Sequence, residues 1–311
     1  MEKSYDVVII GGGPAGITAG IYANQMGLSC VVLEKETWGG QIATTYEVLN
    51  YTGYKKISGA DLSLQMYNHA KSLGVELVQE EVNGTNLVGD IKEVYGFKNT
   101  YKAKTVVIAI GTKTRNLGVE NEKNFLGKGL SFSATKDRDK FVDKEVAIVG
   151  GGNTAIEDAI YLSEKAKRVY LIHRRDEFRA DQMLVDRLYN EINKNHKIEL
   201  VLSSKPYQIV GENQIEGLKI VDLKTDTIKD LNVQGVFVAI GRGADTDIID
   251  KNVVRDSAGY IISDSKMQTN IDGVYVAGDI RNTELRQIVT ATNDGAIAST
   301  SAFKYIKSKK L

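Results

Sequence analysis

The opening residues follow a strand, turn, helix and strand pattern. Tyr5–Ile10 is largely apolar, and Val7–Ile10 is a continuous apolar run, typical of a strand buried on both faces. A triple glycine follows, and the next segment carries small residues on one side, as a helix packed closely on a sheet does. Val31–Leu33 form a second apolar run. The pattern predicts one βαβ unit, which needs about 30 residues and a parallel sheet.

This unit occurs twice in the chain. Val7–Lys35 and Val146–Arg174 align without a gap at a shift of 139 positions, and the triple glycine of the first falls on Gly150-Gly151-Gly152 of the second. A shorter pair follows each unit, since Val106–Thr112 corresponds to Val236–Arg242. Repeats of this length indicate two copies of one supersecondary unit. The chain therefore contains two nucleotide-binding units.

The segment after Arg242 does not begin a third copy. It runs through Val274–Asp279 into a helix-like segment, roughly Gln287–Ile306. We therefore predict an α/β fold with two Rossmann-like dinucleotide-binding domains, the second inserted into the first. The predicted domains are residues 1–113 with 245–311, and residues 114–244.

The first glycine turn has the residues of a dinucleotide site. Gly11 permits a tight turn, Gly13 lets a pyrophosphate approach the backbone, and Gly16 lets the helix pack on the strand. The helix N-terminus then carries partial positive charge toward the phosphates. Glu34, at the end of the second strand, is an acceptor for ribose hydroxyls, and its charge would repel a 2′-phosphate. This turn predicts a nucleotide without that phosphate.

The second turn differs where the ribose must lie. Gly150 and Gly152 recur, with Ala155 at the third position, a replacement that the fingerprint tolerates. The position of Glu34 is taken by His173, and arginines follow it at 174, 175 and 179. We interpret this set as a cluster of cations that binds a 2′-phosphate, which predicts NADPH rather than NADH. Two sites in one chain imply a relay, in which one nucleotide stays bound and the other delivers hydride.

Composition excludes several other kinds of chemistry. Lys plus Arg and Asp plus Glu are 40 each, so no overall charge favours nucleic acid or an anionic membrane. Cys30 is the only cysteine, which rules out an intrachain disulfide and a cysteine-bound cluster. The three histidines have no metal-ligand spacing, so we expect no metal site. With no signal peptide before Tyr5 and no bilayer-length apolar run, we expect a cytoplasmic protein without membrane contact.

The order of motifs resembles the low-molecular-weight thioredoxin reductases, class II of the pyridine nucleotide-disulfide oxidoreductases, across essentially the whole chain. The matching segments are Gly11–Gly16, Gly39–Gln41, Gly150–Gly152, His173–Ala180, Gly278-Asp279, Arg286-Gln287 and Asp294–Ala296. The resemblance implies FAD and NADPH as cofactors, three-layer ββα domains, and a homodimer. It also implies that the helix near Gln287 points its N-terminus at the N1–C2 edge of the flavin, where such a terminus stabilises negative charge.

The resemblance assigns residues to both cofactors. The residues implied for FAD are Gly11, Gly13, Pro14, Ala15, Gly16, Glu34, Lys35, Gly40, Gln41, Asn50, Gly111, Gly278, Asp279 (on the ribityl chain), Arg286, Gln287 and Ile288. The residues implied for NADPH are Gly150, Gly152, Asn153, Thr154, Ala155, His173, Arg174, Arg175, Arg179, Ile240 and Gly241.

The chain departs from the family at its redox dithiol. The family motif Cys-Ala-Thr-Cys-Asp-Gly aligns with residues 133–138, which read Ser-Ala-Thr-Lys-Asp-Arg. Ser133 and Lys136 replace the two cysteines, Asp137 keeps the acid as a candidate catalytic residue, and Arg138 replaces the glycine. Serine cannot cycle between thiol and disulfide, so this position cannot relay electrons by thiol exchange. We expect Cys30 to be a buried structural residue rather than a substitute.

Two classes of function fit these observations. The first is an NADPH-oxidising flavoenzyme that passes electrons from reduced FAD to an external acceptor: ferredoxin, flavodoxin, a thioredoxin-like partner disulfide, a quinone or dioxygen. Within it, a ferredoxin– or flavodoxin–NADP reductase of the thioredoxin reductase-like type is an alternative. The second class is a redox-silent FAD- and NADPH-binding interaction protein, for which the retained arginines have no evident use.

Overall fold

The chain forms two compact units. The computed structural model describes residues 2–309. One unit comprises Met1–Lys113 and Gly243–Leu311, and the other comprises Thr114–Arg242. The chain thus enters and leaves the second unit from within the first. No helix of the described segment is both long and apolar enough to cross a membrane.

Strands and helices alternate along the chain. The first part contains β1 (Glu2–Ile10), α1 (Pro14–Gln25), β2 (Cys30–Glu34), α2 (Gly59–Ser72), β3 (Glu76–Gln79), β4 (Val82–Asn86), β5 (Lys92–Gly96), β6 (Thr100–Ile108) and β7 (Lys113–Thr114). The middle contains β8 (Leu130–Ser131), α3 (Ala134–Asp137), β9 (Glu145–Gly150), α4 (Asn153–Ser163), β10 (Arg168–Ile172), α5 (Gln182–Asn195), β11 (Ile198–Val201), β12 (Ser204–Val210), β13 (Gly217–Asp222), β14 (Thr227–Leu231), β15 (Gly235–Ala239) and β16 (Arg242–Gly243). The last part contains β17 (Val274–Val276) and α6 (Ile288–Lys309).

The two units share a sheet order. In the first, β3, β2, β1 and β6 lie side by side and parallel, β17 extends this sheet beside β6, and β4 and β5 join antiparallel. In the second, the parallel order is β11, β10, β9, β15 and β8. In both units, the strand before the glycine turn lies between its βαβ partner and the strand of the shorter repeat. This topology confirms the α/β prediction with two Rossmann-like sheets.

Both parallel sheets are covered on two faces, which explains why their strands are apolar throughout. In the first unit, α1 and α6 cover one face, while residues around Ile249–Ile261 cover the other. In the second unit, α4 and α5 cover one face. The antiparallel sheet β12–β13–β14 covers the other face, with Ile209, Leu218 and Ile220 in the shared core. Helix, sheet and second β-layer therefore stack in that unit.

Local sequence fixes where the helices begin and how closely they pack. Pro14 at the first position of α1 has the φ that a helix needs and lacks a donor that would be left unpaired there. Helix α6 approaches α1 closely, since Ser299 Oγ donates to the Ala19 carbonyl over 2.7 Å. A Cβ at Gly295 would clash with the Ala15 carbonyl. Small residues thus bring the last helix onto the first.

Candidate functional site

In the first glycine turn, packing requires glycine at positions 11 and 16 but not at position 13. A Cβ at Gly11 would clash with the carbonyl of Ala109, and one at Gly16 would clash with the carbonyl of Gly11. A Cβ at Gly13 would have no heavy atom within 4 Å. Gly13 also precedes α1, whose free N–H groups point out of the turn. The open side of Gly13 has room for a phosphate to approach the backbone.

Glu34 is fixed beneath this turn. One carboxylate oxygen accepts from Gly12 N over 2.7 Å, and the other accepts from Glu36 N over 2.8 Å. The side chain is buried, and the ring of Trp38 lies against Gly12 from the same side. An acceptor held in this way is preset for hydroxyl groups of a ligand at the turn. Lys35 lies on the exposed rim, paired with Glu36 over 3.5 Å.

Residues far apart in sequence meet at Gly13. A Cβ at Gly40 would lie 3.4 Å from the Gly13 Cα, and one at Gly111 would lie 3.4 Å from Gln41 Nε2. The Gln41 amide donates to Thr112 Oγ1 over 3.0 Å. Gly40 and Gly111 have φ values of 55° and 63°, which favour glycine. The structure therefore brings these four predicted residues to the open side of the turn.

The segment before α6 completes this side of the unit. A Cβ at Gly278 would lie 3.0 Å from the Ala15 Cβ, which puts the Gly278-Asp279 turn beside the start of α1. Arg286 Nε donates to the Asp279 carbonyl over 3.1 Å. Asn50 Nδ2 donates to Gln287 Oε1 over 3.2 Å, just before Ile288 begins the helix. All predicted residues of the first set lie in the first unit.

The second glycine turn repeats the first. A Cβ at Gly150 would clash with the Ala239 carbonyl, whereas a Cβ at Gly152 would have no heavy atom within 4 Å. Ala155 packs against Gly150 as Gly16 does against Gly11. Asn153, at the first position of α4, exchanges hydrogen bonds of 2.7 and 2.9 Å with Asp181. Of the other predicted residues, Thr154 lies in the first turn of α4, and Ile240 and Gly241 directly follow the neighbouring strand β15.

Three arginines lie beside the second turn with their charges uncommitted. Arg174, Arg175 and Arg179 are exposed, and within residues 2–309 none of them forms an ion pair. The Arg179 N–H donates to the Gly151 carbonyl over 2.8 Å, which returns the chain to the turn. The neighbouring Asp176 is engaged by Lys224 over 2.9 Å. Exposed guanidinium groups at one strand end have the chemistry that recognises a phosphate.

His173 does not belong to this cation cluster, contrary to the sequence interpretation. Its ring is buried directly beneath Gly151 and stacks on Phe178, with ring centres 5.8 Å apart. Burial lowers its pKa, a hydrogen bond with the Glu177 backbone acts to raise it, and the nearby arginine charges lower it. Because the pKa lies below the usual value of histidine, the ring is mainly neutral at pH 7. It takes the packing position that Glu34 takes in the first unit. The sequence shows that a histidine occupies this position, but it does not show that the side chain is buried.

Asp137 is held as a carboxylate. Ser131 Oγ donates to it over 2.7 Å, and Lys140 pairs with it over 2.7 Å. Partial burial acts to raise its pKa, but these hydrogen bonds and the charges of Lys140 and Lys136 together lower it. Ser133 caps α3 by accepting from Lys136 N over 3.3 Å, while the Lys136 side chain is exposed. A proton donor at Asp137 would need a raised pKa, which this arrangement does not supply.

Arg138 ties the same turn to α4, a contact that sequence reasoning did not find. Its guanidinium carbon lies 3.7 Å from the ring centre of Tyr161. Its Nη1 donates to Glu164 over 2.5 Å and to the Tyr161 carbonyl over 3.4 Å. Next to it, Asp139 pairs with Lys165 over 2.7 Å. Only the spacing of the aromatic Tyr161 and the acid Glu164 at the end of α4 could have indicated a partner.

Cys30 is buried, as the sequence predicts. Its Sγ lies 3.6 Å from the Gly20 carbonyl. Burial raises its pKa to about 11, with smaller contributions from the carboxylates of Glu76 and Asp6. At neutral pH the group is a thiol, which is neither a nucleophile nor a metal ligand.

Two open glycine turns, one above an acid and one beside free arginines, define a protein that binds two dinucleotides. The family of pyridine nucleotide-disulphide oxidoreductases matches residues 5–295. A thioredoxin reductase of Peptoclostridium acidaminophilum is 40% identical, with 99% of this chain and 98% of that protein aligned. The solved thioredoxin reductase of Lactococcus lactis is 35% identical, with a TM-score of 0.93 over 98% of this chain and 99% of that one. The chain belongs to the thioredoxin reductase family, flavoprotein oxidoreductases that use FAD and NADPH.

A further relative has a different description. The protein called "34.2 kDa protein in rubredoxin operon" of Clostridium pasteurianum is 39% identical, with 99% of this chain and 99% of that protein aligned. A relative of similar identity and coverage is therefore not named as a thioredoxin reductase.

Proposed function

We propose that this chain oxidises NADPH through bound FAD and passes the electrons to an acceptor outside the chain. FAD would lie in the unit Met1–Lys113 with Gly243–Leu311, and NADPH in the unit Thr114–Arg242. The observation that carries the proposal is the open space at Gly13 and Gly152, each flanked by positions packed tightly against backbone. Packing does not require glycine at these two positions, but a pyrophosphate lying against the backbone does.

The chemistry of the first set fits FAD. Gly13 and the start of α1 would bind the pyrophosphate, and Glu34 would accept from ribose hydroxyls. Asp279 and Asn50 lie beside the turn and the start of α6, where they would hold the ribityl chain and the ring system. When bound, FAD supplies the redox chemistry, taking hydride and releasing electrons. The residues of the first set would position it.

The second set fits NADPH rather than NADH. Gly152 would accept the pyrophosphate, and Arg174, Arg175 and Arg179 would surround the 2′-phosphate. A guanidinium makes charge-assisted bonds to phosphate that an NADH ribose, lacking the phosphate, cannot use. The free state of all three arginines in the described chain supports this assignment.

The acceptor is external because this chain has no group to relay electrons by thiol exchange. Its one cysteine is buried with a raised pKa. The resemblance aligns Ser133 and Lys136 with the two cysteines of the family motif. Each NADPH gives up two electrons as one hydride. Two electrons with two protons reduce one disulfide of a partner, while two one-electron carriers take one electron each.

A ferredoxin– or flavodoxin–NADP reductase is the second candidate. It is favoured by the relative named for a rubredoxin operon, since small electron carriers then belong among the acceptors to be tested. Asp137, fixed as a carboxylate, also suits electron transfer to a carrier better than it suits proton donation to a thiolate.

Anaerobic addition of NADPH to the purified yellow protein tests the proposal. We expect FAD at one per chain and loss of the flavin absorbance within seconds. Turnover is then measured against ferredoxin, flavodoxin, rubredoxin, thioredoxin, a quinone and dioxygen. A flavin that stays oxidised under NADPH would support the redox-silent binding protein instead, and a chain that takes up no FAD would overturn both. Light scattering should also find a homodimer, as the family resemblance implies.

A further inference from the structure

A buried ion pair joins the segment before α6 to the helix itself. Asp294, in the second turn of α6, is 3% exposed, and its Oδ2 accepts from Arg281 Nε over 2.7 Å. The same oxygen accepts from Gly278 N over 3.2 Å. One carboxylate oxygen therefore holds two donors, which lie on either side of Asp279.

Arg286 fixes the same turn from another direction. Its Nε donates to the Asp279 carbonyl over 3.1 Å, and its Nη2 donates to the Arg281 carbonyl over 3.4 Å. Its guanidinium stacks on Tyr260, 4.1 Å from the ring centre. The backbone on both sides of Asp279 is therefore held by donors and acceptors that belong to α6 or to the residues just before it.

An ion pair is a costly way to pack a helix against a turn. Burial of two charges is often no more stabilising than an apolar pair of the same size, while loss of one partner is strongly destabilising. An apolar contact would not set the rotation of the turn, whereas two hydrogen bonds to one oxygen do. The ion pair thus fixes the orientation of the turn more than it stabilises the fold.

We propose that Asp294 and Arg281 are a positioning pair for the flavin, which they fix by locking Asp279 to the start of α6. The inference rests on the FAD site proposed above. Asp279 would hold the ribityl chain, and the residues before α6 would face the ring. One ion pair would therefore fix these two contacts relative to each other. Because the two charges balance, the pair adds little net charge at the flavin.

Because the two charges balance, removal of either one should shift the flavin midpoint potential in a defined direction. Asp294→Asn keeps the shape and removes the negative charge, which leaves the Arg281 cation unopposed. Arg281→Gln leaves the Asp294 anion unopposed. An added cation favours the reduced, anionic flavin and raises its midpoint potential, and an added anion lowers it. Pure loss of packing would not shift the potential in opposite directions.

The experiment measures FAD dissociation and the flavin midpoint potential in the full chain. We expect FAD affinity to fall about tenfold in either variant, which corresponds to one charge-assisted hydrogen bond. Asp272→Asn is the matched control, because Asp272 pairs with Lys309 over 3.9 Å at the other end of α6 and is 71% exposed. It should bind FAD like the parent. Should Asp294→Asn fail to fold, Arg281→Gln and Arg281→Lys, at a partly exposed residue, carry the test.

Unchanged affinity and potential in a parent that binds FAD would overturn the positioning pair and leave the FAD site standing. Shifts of the same sign in both variants would also overturn it, since they would report general loosening. A parent that binds no FAD would instead remove the proposed function on which the pair depends.

Discussion

The guanidinium carbon of Arg138 lies 3.7 Å from the ring centre of Tyr161, and the same guanidinium pairs with Glu164. Cation–π contacts of this kind contribute about 0.5–2 kcal/mol. Together with the ion pair, the contact fixes residues 134–138 against α4. Arg138, which the resemblance aligns with a glycine of the family motif, is therefore held in place by its side chain.

This contact should affect whether a dithiol can be built at positions 133 and 136. We expect Ser133→Cys with Lys136→Cys to give slow NADPH-dependent reduction of the disulfide dye DTNB. Addition of Arg138→Gly should accelerate it, because the turn is then released from α4. Ser133→Cys alone is the control and should stay at background, since one thiol cannot form an internal disulfide. Equal rates with and without Arg138→Gly would mean that the contact with Tyr161 does not restrict the turn.

The parent protein should reduce DTNB only at a slow flavin background. Cys30 is buried, its pKa is raised to about 11, and the thiolate needed for exchange is therefore scarce. Cys30→Ser should leave NADPH oxidation with external acceptors unchanged. Rapid DTNB reduction by the parent that persists in Cys30→Ser would contradict the external electron route.

Loss of one arginine from the second site should weaken NADPH use. Arg175→Ala removes one charge-assisted phosphate contact, at about 1.5–3 kcal/mol, so KM for NADPH should rise roughly 10- to 150-fold. KM for NADH should hardly change. Arg168→Ala is the control, since Arg168 is exposed in the same unit but pairs with Glu199 over 3.3 Å. If the parent uses NADH as well as NADPH, the phosphate assignment is wrong.

Glu80 should make the fold sensitive to acid. Burial acts to raise its pKa, but hydrogen bonds from Tyr101, Asn99 and Lys98 N lower it to about 2. Because the folded pKa lies below the unfolded value near 4.5, the stability that the carboxylate contributes is present above that value. It is lost as pH falls from about 4.5 toward 2.

Glu80→Gln tests this dependence. The variant should be about 2–3 kcal/mol less stable than the parent at pH 7, from lost charge-assisted bonds. Urea unfolding from pH 7 to pH 2.5 should show the difference shrinking as the parent protonates. Glu81→Gln, at the exposed neighbouring position, should follow the parent throughout. A difference that is constant with pH would show that the charge of Glu80 is not what stabilises the fold.

Trp38 should report FAD binding directly. It is the only tryptophan of the chain, lies against Gly12, and packs on Tyr67 with ring centres 5.4 Å apart. Titration of the FAD-free protein with FAD should quench its emission, with a midpoint equal to the dissociation constant found by flavin absorbance. Trp38→Phe should keep the absorbance change and lose the emission signal. Binding seen by absorbance without quenching would place FAD elsewhere than at the first turn.

The two copies of the βαβ unit made the architecture predictable from the sequence. Val7–Ile10 and Val146–Val149 are apolar because both faces of their strands are covered. The glycine that directly follows each of these segments is required by close contacts at its turn. The Asp294–Arg281 pair could not be predicted in this way, because it depends on how α6 docks onto a turn earlier in the chain. The neutral state of His173 also depends on tertiary burial, as does the role of Glu80, which looks like an ordinary surface acid between two strands.

The close docking of α6 on α1 has a consequence for biosynthesis. Residues 114–242 leave the ribosome as a continuous stretch and can fold while translation continues. The first unit cannot do the same, since β17 and α6, which complete its sheet and cover α1, are made after residues 114–242. Until then, the apolar face beneath α6 stays open to water. The unit that is begun first is thus completed after the unit inserted into it, and the FAD binding that we propose there requires both of its parts.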